Sequence, residues 1–369
     1  MTENHPLADL MSAAHVFLPG LTGAHPLAKR DSLLRVEHPG GTAVVQRLPE
    51  GMTPERAALA PAVLAALDGV VPAPAPLAAP DGAVIVTIGD GRFVARTFLP
   101  GEPVAKSAVA YPDPDRWLDL PAILPDAGFA QALAALARVH EATAGARGLP
   151  TLPAAPLDGL AGAVRHAWIS ARDRLRPVTH MTPHAQRWIA AGERALPAAA
   201  ASLAVAGLET LAPSALVHQN VWPGHFLLDD DVLTGILGWD RVAYGTPLLD
   251  IAQAAVRLRG WSAATAEETV AAYGAVRTLG PEERRALPAL AAFDLVAITG
   301  NLLVAAYAPP PGTPAPPSAL KFAASRMVES LENVAGALAA LESPRSSGKA
   351  SGAQRRRKAV QGPRTRSRR

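Results

Sequence analysis

One polar loop concentrates side chains that could take part in chemistry. The segment 217–225 places two histidines, a glutamine, an asparagine and a tryptophan within nine residues, between apolar runs. A loop of this kind, held by a rigid scaffold, often forms a functional site. The apolar runs 226–228 and 232–237 flank the acidic turn 229–231 and predict a hairpin that returns the chain to Gly238-Trp239-Asp240. We therefore expect the loop and Asp240 to form one polar cluster.

The first part of the chain is rich in short strand-like runs. Thr53-Pro54-Glu55 combines a capping hydroxyl with a proline at the first helical position, which predicts the start of a helix. That helix should extend to about residue 67, and Pro61 is expected to kink or split it. Apolar runs between turn residues predict strands at 33–37, 43–48, 84–88 and 92–98.

The second part of the chain is predicted to be helical apart from the hairpin. A linker at 99–102 separates the two parts. The segment after residue 342 is rich in Ser, Gly and Arg and predicts disorder. Apolar periodicity predicts helices at 129–144, 160–175, 182–203, 264–273, 281–308 and 319–341.

The polar loop and its hairpin resemble the catalytic core of the aminoglycoside-phosphotransferase and choline-kinase family, which has a protein-kinase-like fold. Active members carry His-Gly-Asp-x-His-x-x-Asn, then a hairpin, then Ile-Asp-Trp. The matching stretches here are 218–225 and Leu237-Gly238-Trp239. The segment 245–252 resembles the family's Gly-Asp-Pro-x-x-Asp-Leu-Ala, and His140 matches a habitual family position. The similarity spans roughly 20–340 and is strongest at 216–252.

The resemblance implies an α+β, two-lobed protein-kinase-like fold. It has a small β-rich N-lobe with one helix and a larger helical C-lobe with an embedded hairpin. The expected divisions are an N-terminal extension at 1–20, an N-lobe on the nucleotide side at 21–101, a C-lobe at 102–342 and a disordered basic tail at 343–369. The segment 216–240 is then the catalytic-loop-like part of the C-lobe.

The chemical residues of the family motif are replaced in this sequence. Phosphoryl transfer from ATP needs a carboxylate at the acceptor hydroxyl and oxygen ligands for Mg²⁺. The family base aligns with Asn220, whose amide cannot accept a proton at neutral pH. The two metal-ligand positions align with His225, a poor ligand for a hard cation, and with Gly238, which has no side chain. The resemblance gives His218 the role of orienting the loop and gives Asp250 that of holding backbone groups.

The nucleotide-binding positions of the N-lobe also depart from the family pattern. The position of the family's phosphate-pairing lysine is Gln46, and alternation places Arg47 on the opposite face of the strand. Its glutamate partner falls near Ala60, and the segment at Lys29-Arg30-Asp31 lacks the glycine pattern of a phosphate-covering loop. The resemblance implies ATP and Mg²⁺ as cofactors, and these substitutions argue against both. It also places Gln46, Phe98, Leu99, Gly101 and His225 beside the nucleotide.

Three functions remain open from the sequence. The first is a catalytically degenerate, pseudokinase-like homologue that binds a small-molecule ligand or has a regulatory role. The second is a diverged but active ATP-dependent O-phosphotransferase for a small hydroxyl-bearing substrate, in which Asp240 replaces the missing metal ligand. Family acceptors include aminoglycosides, choline, homoserine and sugars. The third is an interaction protein that uses its basic tail.

Composition limits the remaining classes of function. The chain of 369 residues contains no cysteine, which excludes disulfides, thiolate catalysis and cysteine-ligated metals. Ten basic residues and no acidic residue lie in 344–369, so the rest of the chain carries 25 basic against 32 acidic residues. The tail predicts weak, salt-sensitive attraction to polyanions. The sequence indicates neither a signal peptide nor a membrane span, so we expect a cytoplasmic protein.

Overall fold

The fold comes from a computed structural model of the chain. The structure describes residues 6–27, 32–104, 108–110, 117–146, 149–155, 157, 159–207 and 211–342. The basic tail and Lys29-Arg30-Asp31 lie outside the described residues.

An antiparallel sheet forms the N-terminal part of the fold. Its strand order is β1-β2-β3-β6-β4, and β5 pairs with β6 at the other end of that strand. The two predicted hairpins are present as β2–β3 and β5–β6. The strands are β1 (Gly23–Pro26), β2 (Leu33–His38), β3 (Gly41–Arg47), β4 (Pro76–Leu77), β5 (Val86–Ile88) and β6 (Gly91–Thr97).

The two faces of this sheet have different neighbours. Ala43 and Val45 on β3, and Phe93 and Ala95 on β6, are buried on one face. Helix α1 (Pro6–Phe17) covers that face and forms one hydrophobic cluster with it. Because side chains alternate along a strand, Gln46 and its neighbours of the same parity point to the opposite face, toward the second lobe.

Helix α2 (Pro54–Ala66) joins the two lobes. Thr53 caps it by accepting a hydrogen bond from the backbone N–H of Arg56. Its buried Val63 and Leu64 belong to the hydrophobic core of the second lobe. Of the two expected effects of Pro61, a kink or a split, the split is wrong: the helix continues through Pro61, which is itself buried. Burial of the proline ring offsets the single backbone hydrogen bond that the residue cannot donate.

The second lobe is a helical bundle around α8. Its long helices agree with the sequence prediction to within a few residues, whereas α6, a short helix that begins within the motif at 245–252, was not predicted. A π-helical turn, Ala255–Arg259, follows α6. The helices are α3 (Asp126–Ala142), α4 (Leu160–Leu175), α5 (Pro183–Ala206), α6 (Leu248–Ala254), α7 (Ala263–Gly274), α8 (Pro281–Tyr307) and α9 (Ser318–Glu342).

Two of these helices, α5 and α8, are long and apolar enough to cross a membrane by length and composition alone. In α8, 72% of the apolar window is buried inside the lobe against its neighbours. The core helix of a soluble protein passes the same test, so α8 is explained by its place at the centre of the bundle.

Short strands embedded in the second lobe position the polar loop. The predicted hairpin forms from β11 (Phe226–Asp229) and β12 (Val232–Ile236). The linker strand β7 (Glu102–Pro103) pairs with β11, and so connects the lobes beside the hairpin. Strand β10 (Ala215–Val217) enters the loop and pairs with β13 (Ala243–Gly245), which follows it. Strands β8 (Ala108–Ala110) and β9 (Trp117–Asp119) form a separate pair. The predicted α+β, two-lobed kinase-like fold is confirmed.

We expect α1 to contribute to the stability of the sheet that it covers. Leu10 is fully buried in the shared cluster, so Leu10→Ala should lower the free energy of unfolding by about 2–5 kcal/mol. Leu7 on the same helix is 46% exposed, and Leu7→Ala is the matched control with a change of about 0.5 kcal/mol or less. Urea unfolding followed by circular dichroism measures both. Equal stabilities for the two variants would contradict the packing of α1.

Candidate active-site cleft

The carboxylate of Asp250 fixes the polar loop. Its Oδ2 accepts a hydrogen bond from the backbone N–H of His218 at 2.6 Å, and its Oδ1 accepts one from the N–H of Gln219 at 2.8 Å. His140 Nε2 lies 3.1 Å from the same Oδ2. Asp250, His140 and His218 are buried, and Gln219 is half-buried. The role that the resemblance gave to Asp250, holding backbone groups, is the geometry observed.

A chain of polar side chains extends from Asp250 into the bundle. His140 Nδ1 lies 2.9 Å from the hydroxyl of Tyr273, which accepts a hydrogen bond from Arg277 at 3.1 Å. Burial raises the pKa of Asp250, but the hydrogen bond and charge of His140 outweigh it and hold that pKa below its ordinary value. Burial raises the pKa of Tyr273 to about 12. The carboxylate therefore remains ionised and keeps both loop N–H groups bonded.

His218 is a buried, neutral ring that orients the loop. Its Nε2 donates to the carbonyl of Leu237 at 2.8 Å, and its Nδ1 accepts from the backbone N–H of Asn220 at 3.2 Å. The ring stands edge-on to Trp239 at a centroid distance of 4.6 Å. Burial lowers the pKa of His218 to about 4. The ring thus spans the loop and the hairpin exit, as expected of a positioning residue.

Gln219 adopts a backbone conformation that favours glycine. Its φ is 56°, in the left-handed region, where the family motif has glycine. A side chain there costs about 1–2 kcal/mol. The two hydrogen bonds that Asp250 accepts from the N–H groups of residues 218 and 219 hold the loop in this shape despite that cost.

Asn220 and Asp240 come together in the structure. The side-chain amide of Asn220 donates to the carbonyl of Gly238 at 3.3 Å and lies 3.4 Å from Oδ1 of Asp240. Asn220 is buried and Asp240 is exposed. The amide is therefore engaged as a donor at the place where the family has its carboxylate base.

His225 occupies the space that a side chain at position 238 would need. A Cβ atom added to Gly238 would lie 2.6–2.9 Å from Nδ1, Cε1 and Cγ of the His225 ring. The ring is held there by its Nδ1, which lies 2.7 Å from the carbonyl of Asn220. Gly238 has φ of 82°. The two residues at the family's metal-ligand positions are thus a fitted pair, and together they leave no carboxylate or amide oxygen for Mg²⁺.

The residues at the metal positions do not fit a hard divalent cation. Mg²⁺ needs oxygen ligands in near-octahedral geometry, and these positions offer an imidazole and a glycine. Within the part of the chain that the structure describes, no group of three or more His, Asp or Glu side chains is arranged to hold a metal ion. Asp240 is the carboxylate that lies beside Asn220.

The remaining predicted positions lie on β3 and at the linker. A cavity of about 680 Å³ opens beside the linker and is lined by Phe98, Gly101 and Leu228, among others. Gln46 on β3 pairs in register with Val94 on β6. Leu99 lies against the hairpin, because its Cδ1 is 2.8 Å from the Cβ position of Gly235. Arg47, on the other face, contacts Asp90 at 3.2 Å.

Two arginines at the cleft were not found from the sequence. Arg56 on α2 donates to the carbonyl of Val242 at 3.0 Å and to that of Asp240 at 2.6 Å. Arg96 on β6 is partly buried; burial lowers its pKa, and the charge of Asp240 raises it. Neither arginine belongs to a motif, and only the docking of α2 brings Arg56 to the backbone of Asp240.

Comparison with protein-family models matches residues 28–289, more than half of the chain, to the phosphotransferase enzyme family. The chain belongs to this family. A search of curated protein sequences gave no match.

Solved structures of phosphotransferases share this fold. An aminoglycoside phosphotransferase from Alicyclobacillus acidocaldarius has a TM-score of 0.63 and 16% identity, covering 89% of this chain and 94% of that chain. A microcompartment-associated aminopropanol kinase has a TM-score of 0.62 and 16% identity, with coverage of 90% and 98%. A spectinomycin phosphotransferase in complex with ADP and spectinomycin has a TM-score of 0.57 and 12% identity, with coverage of 90% and 98%. At these identities the likeness establishes the fold alone.

The neutral state of His218 predicts how stability depends on pH for this phosphotransferase-family protein. Unfolding releases a ring with an ordinary pKa near 6.5, so the unfolded state binds more protons than the native state between pH 6.5 and about 4. Stability should therefore fall as the pH drops through that window, by about 3 kcal/mol at most. His218→Gln should flatten this part of the pH profile of urea unfolding. His166→Gln, at an exposed histidine, should leave it unchanged, and equal slopes in all three proteins would contradict the buried neutral ring.

The fit between His225 and Gly238 predicts strong coupling between substitutions. Gly238→Asp alone should destabilise the protein by about 1–3 kcal/mol, because the new side chain meets the imidazole ring. Adding His225→Asn should recover about 1 kcal/mol or more of that loss, as measured by a double-mutant cycle in urea. The control pair Gly238→Asp with His166→Asn should recover nothing. If the changes in unfolding free energy caused by Gly238→Asp and His225→Asn were additive, the close packing of these two positions would be refuted.

Proposed function

We propose that this protein is a catalytically degenerate, pseudokinase-like member of the phosphotransferase enzyme family, which binds a small-molecule ligand in its interlobe cleft. The proposal includes a cytoplasmic location. It excludes standard phosphoryl transfer from ATP with Mg²⁺.

The observation that carries the proposal is the packing of His225 over Gly238. If only one metal-binding residue were replaced, a neighbouring oxygen atom could bind the metal ion in its place. Here the imidazole ring fills the place from which a ligand at position 238 would extend, and the carboxylate base is replaced by the donor amide of Asn220. These positions therefore provide neither the oxygen ligands that hold Mg²⁺ nor the carboxylate that deprotonates a hydroxyl group.

The cleft itself supports a binding role. The loop frame is intact, because Asp250 and His218 hold the backbone of residues 218–220 in a defined shape. The cavity of about 680 Å³ beside Phe98 and Gly101 has the size of a small-ligand site. The family resemblance makes a nucleotide the first ligand to test. If ATP binds, it would lie between the linker and the cleft face of the sheet.

One contact favours a second candidate, an active O-phosphotransferase. The carboxylate of Asp240 lies beside Asn220 and is exposed to the cleft. In that candidate, Asp240 would hold the metal ion in place of position 238. A single carboxylate is a sparse ligand set for Mg²⁺ on a nucleotide, which is why we place the binding role first.

The two candidates differ in a direct assay. The full-chain protein should give no phosphorylated product by mass spectrometry with ATP, Mg²⁺ and a panel of aminoglycosides, choline, homoserine and sugars. ATP should raise the melting temperature equally in Mg²⁺ and in EDTA, since binding to the folded state alone stabilises it. A phosphorylated product that Asp240→Ala abolishes would reject the proposal in favour of the second candidate. Exposed Asp173 gives a control variant, Asp173→Ala, that should change neither result.

A further inference from the structure

The turn between α7 and α8 holds an arginine in a fixed position. Arg277 donates to Oε1 of Glu283 at 2.9 Å, and Oε2 of the same carboxylate accepts the backbone N–H of Gly280 at 2.8 Å, just before α8. This carboxylate therefore ties the guanidinium to the backbone of the turn. Another N–H group of Arg277 reaches the hydroxyl of the buried Tyr273 at 3.1 Å. The junction of two helices thus places a charged donor against the polar chain that leads to the loop.

Hydrogen-bonding capacity fixes the direction of the chain from Arg277 to Asp250. A guanidinium group can only donate, so the oxygen of Tyr273 accepts at this end. At the other end, the carboxylate of Asp250 accepts two backbone N–H groups, and an ionised carboxylate can only accept. Nε2 of His140, 3.1 Å from that carboxylate, therefore donates to it. The hydrogen of the Tyr273 hydroxyl is left to donate to Nδ1 of the same ring at 2.9 Å, and each group in the chain has its partner.

The ring of His140 supports the loop only in one orientation. Its Nε2 must point to Oδ2 of Asp250, the oxygen that also accepts the N–H of His218. The lone pair at Nδ1, in a residue that is 1% exposed, costs free energy unless a donor meets it. The hydroxyl of Tyr273 is that donor, and so it favours the orientation in which Nε2 reaches Asp250. The carboxylate in turn holds the left-handed backbone at Gln219.

We propose that Tyr273 and Arg277 are positioning residues of the polar loop, and that the α7–α8 junction supports the shape of the cleft through His140 and Asp250. This role rests on the proposed function, because it takes the loop to be part of the ligand site. Neither residue belongs to the motifs at 216–252. Their effect should appear at the loop itself, in the hydrogen bonds that Asp250 accepts, and not only in the overall stability of the protein.

Amide NMR spectra of the full-chain protein without any ligand test this role. The amide protons of His218 and Gln219 report on their bonds to the carboxylate in the native state. Tyr273→Phe removes the hydroxyl and keeps the aromatic ring, so both protons should move upfield as these bonds weaken. Tyr307→Phe, at the C-terminal end of α8, removes a hydroxyl outside the chain and should leave both protons in place. Unchanged positions of both protons in Tyr273→Phe would overturn the positioning role.

A pair of variants at Arg277 provides a second test at a partly exposed side chain, which decides the question even if Tyr273→Phe does not fold. Arg277→Met removes the donor to Tyr273 and should move the same two amide protons upfield. Arg277→Lys keeps a positive charge and a donor, so its spectrum should lie closer to that of the unchanged protein. If the two variants gave the same loop spectrum, or if Arg277→Met left it unchanged, the role of Arg277 as a donor would be rejected.

Failure of this role and failure of the proposed function are separate results. The NMR measurements need no nucleotide and no metal ion, whereas the proposed function is tested by product formation with ATP and Mg²⁺. Phosphorylated product would reject the proposed function and leave the positioning of the loop by Tyr273 intact. Loop amides that ignore both Tyr273 and Arg277 would reject the positioning role and leave the absence of phosphoryl transfer untouched.

Discussion

The hydrogen bonds of one buried carboxylate organise the functional half of this structure. Asp250 accepts the N–H groups of His218 and Gln219 and is itself oriented by His140. A buried charge is tolerated only where such bonds surround it, so the loop and the bundle must form together. The left-handed conformation at Gln219 follows from this constraint, whereas burial is what keeps the ring of His218 neutral. The scaffold of a phosphotransferase site is therefore stable without the groups that perform the reaction.

The residues that shape the loop (the frame) and the residues that carry out phosphoryl transfer have separate physical requirements in this fold. The frame needs a buried carboxylate, a neutral imidazole and an aromatic partner, Trp239, and all three remain. The reaction needs a base and oxygen ligands for a metal, and these positions carry Asn220, His225 and Gly238. Because the hydrogen bonds of Asp250 and His218 hold the loop through its backbone groups, the fold can keep its loop while the side chains at the reacting positions change.

Much of the fold could be predicted from the sequence, because the motifs that identify it are also the residues that shape its loops. The segment 216–252 predicted the kinase-like fold, the hairpin and the proximity of Asn220 to Asp240. Helix α1 was missed because the Pro- and Gly-containing start of the chain showed no clear period. Arg56 and Arg96 were missed for another reason: only the docking of α2 and the register of β3 and β6 give their positions. The predicted split at Pro61 was wrong because burial of its ring favours a continuous helix, and the sequence alone does not show that burial.

The packing of His225 against Gly238 also sets the direction in which this site can change. An oxygen ligand can return at position 238 only at a cost in stability while the imidazole ring fills its space. Replacement of the ring first removes that contact, although the positive φ of position 238 still disfavours a side chain there. Recovery of a metal site by single steps is therefore less costly in the order 225 before 238. In evolutionary terms, a lineage in which both ligands were replaced would lose stability if it restored position 238 first, because the new side chain would meet the ring of His225.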